Sequence, residues 1–131
     1  MYELFVEAKT ENLDKVLDFV NEHIEHCPMK IQSQIGIVID EIFANIAAYA
    51  YNPNAGSVTV RIKAEDDITI EFEDSGVPYN PLLNEDPDIT LSAEEREIGG
   101  LGIFMVKNIM DSVEYRRDGS KNILTIKKQL S

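Results

Sequence analysis

Three places in the chain bring together residue types that can do chemistry. The first is Asp40, Glu41 and Asn45, set into an otherwise apolar sixteen-residue stretch from Ile35 to Ala50. A helix that is apolar nearly all round is mostly buried, and a buried acid or amide must be hydrated, bonded or matched. At about 100° per residue, Glu41 and Asn45 fall about 40° apart on one arc, with the small Ala44 and Ala48 beside them. A carboxylate and an amide one turn apart, with room in front, can present oxygens to a hard cation such as Mg²⁺, which keeps some waters and takes the rest of its shell from a bound phosphate. The same two side chains can also cap a neighbouring backbone and bond to a loop. Asp40 points away from Glu41, toward the helix edge.

The second place is "FEDSGVPYNP", where Asp74 and Gly76 mark a strand end and a sharp turn. Taken alone, Asp-x-Gly-x-Pro is a turn signal before it is a site. The third is "REIGGLGIFMV", which puts Gly99, Gly100 and Gly102 directly before a helix. Glycines let the backbone approach closely, and free N–H groups at a helix start attract anions, so phosphates can sit there. Between these two lies "YNPLLNEDPDITLSAEEREI", rich in acids and poor in periodicity. Loops of that length inside compact domains are uncommon and tend to be lids or binding loops, and this one reads as a lid, with Ser92 able to cap a short helix. Arg96 is its only cation and stands just before the glycines, within reach of a terminal phosphate or out in solvent.

These groups need elements to hold them. "YELFVEA" alternates as a first strand, and "NLDKVLDFVNEHI" carries Leu13, Val16, Leu17, Val20 and Ile24 at helical spacing. A longer helix is expected from about Lys30 to Tyr51, between "CP" and the turn-prone "NPNAGS". "SVTVRIKA" and "DITIEFED" alternate with period two and read as a hairpin. "GIFMVKNIMDSV" reads as a third helix, and "VEYRR" and "NILTIKKQL" as closing strands joined at "DGSK". The sum is an α/β two-layer sandwich: a mostly antiparallel, mixed sheet of about five strands with helices on one face.

The totals agree with a single domain over residues 1–131, large enough for one core without disulfides or a structural metal. A hydrophobic share of 44% is ordinary, and no apolar run approaches the roughly 18 residues of a membrane helix. With one cysteine, Cys27, there is no internal disulfide, which fits the reducing cytoplasm; the N-terminus carries no export pattern. A formal net charge of -12 repels a phosphate backbone and argues against nonspecific nucleic-acid or anionic-membrane binding. It leaves a single nucleotide possible, because local N–H groups and a cation outweigh a distant, screened field. His23, His26 and Cys27 lack a fourth ligand and read as surface residues, Phe104, Met105, Ile109 and Met110 as helix core, and "RRDGSK" as a solvated turn.

Taken in order, Glu41-x-x-x-Asn45, Asp74-x-Gly76-x-Pro78 and Gly99-Gly100-Leu101-Gly102 resemble the N, G1 and G2 boxes of the GHKL ATPase superfamily. The short length and the form of each box look most like its anti-sigma-factor serine/threonine protein kinases, and the likeness runs from the first strand to "NILTIKK". The resemblance implies the Bergerat ATP-binding fold. It implies that Asn45 ligands Mg²⁺, that Glu41 is the general base acting on a partner's serine, and that Asp74 accepts a hydrogen bond from the adenine amino group. Gly76 would let the base approach, and Thr125, which alternates with apolar Leu124 and Ile126, would bond Asp74 or a water at the adenine. Gly99, Gly100 and Gly102 would cradle the phosphates, with Arg96 as a further contact. The implied partners are a sigma factor and a STAS-type anti-anti-sigma protein, with a homodimer usual for the family. The competing expectation is a binding module in which nucleotide only orders the lid and alters a protein-binding surface.

Overall fold

The computed structural model describes residues 1–49, 56–78, 80, 82 and 100–130. Strand β1 (Tyr2–Glu7) leads through a 3₁₀ turn (Thr10–Asn12) into helix α1 (Leu13–His23), followed by α2 (Met29–Tyr49). The hairpin β2 (Ser57–Ala64) and β3 (Asp67–Asp74), helix α3 (Gly100–Ile109), and the hairpin β4 (Ser112–Asp118) and β5 (Lys121–Gln129) complete the chain. The five strands form one sheet in the order β1-β2-β3-β5-β4. Every pairing in it is antiparallel, so the expected mixed sheet is corrected to an antiparallel one. The third helix is also placed earlier than its sequence signal, beginning at Gly100 and releasing the chain to β4 at Ser112.

Strand period decides what the sheet covers. Val58, Val60 and Ile62 of β2, Ile68, Ile70 and Phe72 of β3, and Leu124 and Ile126 of β5 point to one face and are buried. Against them α1 lays Val16 and Val20, α2 lays Ile35, Val38, Ile39, Ile42 and Phe43, and α3 lays Val106, with Met110 just beyond its end. One apolar layer thus joins three helices to the sheet. Burying a side chain such as Phe72, 1% exposed, stabilises the fold by about 1.5–3 kcal/mol before entropy is counted.

The other face of the sheet is mostly polar, with Ile123 buried on it and Phe5 exposed. Arg61 on β2 donates from Nε to Glu3 on β1 (2.8 Å) and approaches Glu71 and Glu73 on β3, each at 3.4 Å, while Lys121 lies 3.4 Å from Glu73. Burial pushes the Glu73 carboxyl up, but the hydrogen bond and charge of Arg61, then those of Lys121, outweigh it and hold the group below the usual carboxylate range. The last hairpin closes at Gly119–Ser120; Gly119 takes φ 60°, the left-handed conformation a II′ turn needs at its first central residue. No helix among the described residues is long and apolar enough to cross a membrane.

Candidate functional site

The apolar face of the sheet has a buried polar interruption at the end of β3 and the start of β5. Asp74 and Asn122, 7% and 6% exposed, are the buried polar residues among those described. They sit directly opposite each other in the β3–β5 register and point to the helix-covered side. Asp74 Oδ1 accepts from the Gly76 backbone N–H (2.9 Å) and from Asn122 Nδ2 (2.9 Å). The first bond is an Asx turn, the reason an Asp ends this strand so sharply. No described residue donates to Oδ2. The turn reading and the site reading of Asp74 are therefore compatible, because the turn uses one oxygen and leaves the other.

Asn122 is itself held on all sides. Its Nδ2 also donates to the Val77 carbonyl (2.8 Å), while its Oδ1 accepts from the Tyr115 hydroxyl (2.5 Å) and from Arg117 Nη1 (3.1 Å). Arg117 Nη1 reaches the Gly76 carbonyl as well (2.9 Å), and its Nε reaches that of Gly119 (3.1 Å). "RRDGSK" is thus more than a solvated turn: its second arginine ties the hairpin to the Asp74–Gly76 corner.

Thr125 is not part of this cluster. It lies opposite Glu71 on β3 and Glu114 on β4, on the face turned away from the helices. The alternation that singles out Thr125 against Leu124 and Ile126 sends it to the opposite side from Asp74. Its expected place beside the aspartate is taken by Asn122. Period two does offer a signal for Asn122, which shares a face with Leu124 and Ile126 and is the buried polar member of a row that ends at the half-buried Lys128.

On α2, Glu41 and Asn45 are half-buried, with Ala44 and Ala48 exposed beside them, and Asp40 is exposed at the helix edge. Among the described residues neither Glu41 nor Asn45 has a hydrogen-bond or ion-pair partner. Two oxygen-bearing side chains one turn apart, left unbonded by the rest of the described fold and fronted by alanines, fit the donor chemistry of Mg²⁺. Helix α3 packs against α2 and begins with Gly100 and Gly102 in its first turn, where the leading N–H groups have no partner within the helix. Gly99, Arg96 and the expected lid lie outside the described residues.

The His23, His26 and Cys27 group behaves differently from expectation at one position. Cys27 is buried, and burial pushes its thiol up. The His23 ring bonds the Phe19 carbonyl (2.8 Å), and His26 Nε2 lies 3.7 Å from Cys27 Sγ. Among the described residues no three His, Cys, Asp or Glu side chains are placed to hold a metal ion.

Comparison with known proteins bears on the family and the fold. The family described as histidine kinase-like ATPase domain matches residues 6–128. The chain is similar to the serine/threonine-protein kinase BtrW of Bordetella bronchiseptica, 24% identical over 111 residues that cover 80% of this chain and 78% of the relative. It is also similar to the serine-protein kinase RsbW of Bacillus mycoides, 28% identical over 96 residues, 70% of this chain and 60% of that one. Among solved structures, the histidine kinase domain of a blue-light activated kinase from Erythrobacter litoralis superposes with a TM-score of 0.59 at 18% identity, covering 92% of this chain and 60% of the other. The Acinetobacter baumannii histidine kinase AdeS gives 0.54, also at 18% identity, covering all of this chain and 70% of that one. At these identities the two structures speak for the fold alone.

Proposed function

The chain belongs to the family of histidine kinase-like ATPase domains, and on that premise we propose that it is an MgATP-dependent serine protein kinase and anti-sigma factor. In this reading it holds a sigma factor and phosphorylates a STAS-type anti-anti-sigma protein, in the cytoplasm and as a homodimer. The observation that carries the nucleotide part is Asp74: a buried carboxylate with Oδ1 saturated by Gly76 and Asn122 and Oδ2 given no donor by the described residues. An exocyclic amino group of a purine is a donor of the kind that oxygen lacks.

Each group then has one task. Asp74 orients the base; Gly100 and Gly102 open the start of α3 to the phosphates, assisted by Gly99 and Arg96. Asn45 would hold Mg²⁺, which when bound offsets charge on the phosphate oxygens. Glu41, one turn away on the same flank of α2, would take the proton from the acceptor serine's hydroxyl as it attacks. A base of this kind contributes about 10²–10⁴-fold to rate when placed within hydrogen-bond reach. The names of the serine kinases among the relatives support the choice of acceptor.

The test is transfer of labelled phosphate from ATP to purified candidate antagonists, read as phosphoserine. Glu41→Ala is expected to keep ATP binding and lose transfer by at least about 100-fold. Unchanged phosphorylation in that variant would remove Glu41 from the mechanism. ATP-sensitive binding of an antagonist without any transfer by the wild type would instead establish the binding-module reading.

A further inference from the structure

The cluster behind Asp74 does more than bury polar groups. An arginine can only donate and a backbone carbonyl can only accept. With Arg117 Nη1 on one end of the Asn122 amide and the Val77 carbonyl on the other, the amide can sit only one way, its nitrogen toward Asp74. The Tyr115 hydroxyl adds a second donor to the same oxygen. Four partners thus fix one asparagine, and the asparagine together with the Gly76 N–H fixes Oδ1 of Asp74. Arg117 also grips the carbonyls of Gly76 and Gly119, so one guanidinium ties the turn after β3 to the turn of the last hairpin.

We propose that Arg117, Tyr115 and Asn122 are positioning residues that set base selectivity, by aiming Oδ2 of Asp74 at an exocyclic amino group of the nucleobase. None of the three needs to touch the nucleotide. This inference rests on the nucleotide reading above and adds to it the part of the fold that decides which nucleotide is taken. Selectivity in this account resides in the β4–β5 hairpin, far along the chain from the box residues on α2. A site built to receive one donor rejects the analogue lacking it, because its own polar atom is then left unpaired. That discrimination depends on the acceptor being held in place.

The test compares affinities of the whole chain, with Mg²⁺ present, for ATP and for purine riboside triphosphate, which differs only in lacking the 6-amino group. The wild type is expected to prefer ATP. Arg117→Gln removes the clamp at an exposed side chain, and Tyr115→Phe removes only a hydroxyl, so both variants keep the core intact. Arg117→Gln is expected to shrink the preference about tenfold, the scale of one hydrogen bond to a charged group, through loss of ATP affinity alone. Tyr115→Phe is expected to shrink it less, and Arg117→Lys, which keeps a long, charged donor, to keep more of it than Arg117→Gln, whose amide is neutral and shorter. A merely structural role would weaken both nucleotides together and leave the ratio unchanged. An unchanged ratio in both Arg117→Gln and Tyr115→Phe, in a chain whose wild type discriminates, would overturn this inference alone. So would a Thr125→Val control, on the other face of the sheet, that lowers the ratio as much as Arg117→Gln. A wild type that binds neither nucleotide would overturn the nucleotide reading itself, and this inference with it.

Discussion

The strand end around Asp74 and the helix flank around Glu41 carry the same kinds of group, a carboxylate and an amide, in opposite states of bonding. At the strand end the Asn122 amide has a partner on every side, and Asp74 Oδ1 takes two donors. On α2, Glu41 and Asn45 have no partner among the described residues. The first region is organised by the protein before anything arrives, as recognition of a fixed chemical pattern requires. The second leaves its oxygens available, as handling a cation and a moving proton requires. The same two residue types thus stand in opposite surroundings, which under the proposed function suit them to different tasks.

Matched truncations probe that contrast. Asp74→Ala is expected to destabilise the fold by about 1–3 kcal/mol, because it strands the Asn122 and Gly76 donors, and to abolish measurable ATP binding. Asn45→Ala is expected to change stability by no more than about 0.5 kcal/mol, yet to remove the dependence of ATP affinity on Mg²⁺. Urea unfolding and calorimetry on the two variants check both halves. Equal stability losses would mean that Asn45 supports the fold as much as Asp74 does, and the contrast would fail.

A smaller effect is expected on the open face of the sheet, where the charged ladder is structural. Arg61→Met is expected to cost at most about 1 kcal/mol at neutral pH and to leave nucleotide affinity unchanged. Glu73 is held below the usual carboxylate range chiefly against burial, by Arg61 and then Lys121. Its contribution is therefore present above the ordinary carboxylate pKa and lost as pH falls through the depressed one. The stability gap between wild type and Arg61→Met should accordingly close on acidification, in urea melts at neutral and strongly acidic pH. A gap that widens would reverse the sign assigned to Glu73.

The sequence carries the elements more clearly than their contacts. "SVTVRIKA" and "DITIEFED" alternate cleanly because one face meets helices and the other does not, so β2 and β3 fall where period two puts them. The long apolar helix is equally plain, since α2 buries Ile35, Val38, Ile39, Ile42 and Phe43 along one side. What period two leaves open is which strand lies opposite. Thr125 and Asn122 both stand out on β5, and only the β3–β5 register puts Asn122 against Asp74 and Thr125 against Glu71. Arg117 gives no local sign, because its bond to the Gly76 carbonyl spans 41 positions of chain and depends on two hairpins meeting. Cys27, beside a proline and two histidines, reads as surface in the sequence; it is buried because its turn folds back, with its N–H on the Ile24 carbonyl at 2.9 Å.

The central claim is that the strand end, the helix flank and the glycine start of α3 serve one nucleotide. Titration of the isotope-labelled chain with ATP and Mg²⁺, followed by nuclear magnetic resonance, tests it most directly. The account predicts that the backbone amides of Gly76 and Gly102 and the side-chain amide of Asn45 shift together along a single saturable curve with one dissociation constant. Separate curves, or any one of the three signals unmoved at saturation, would contradict it.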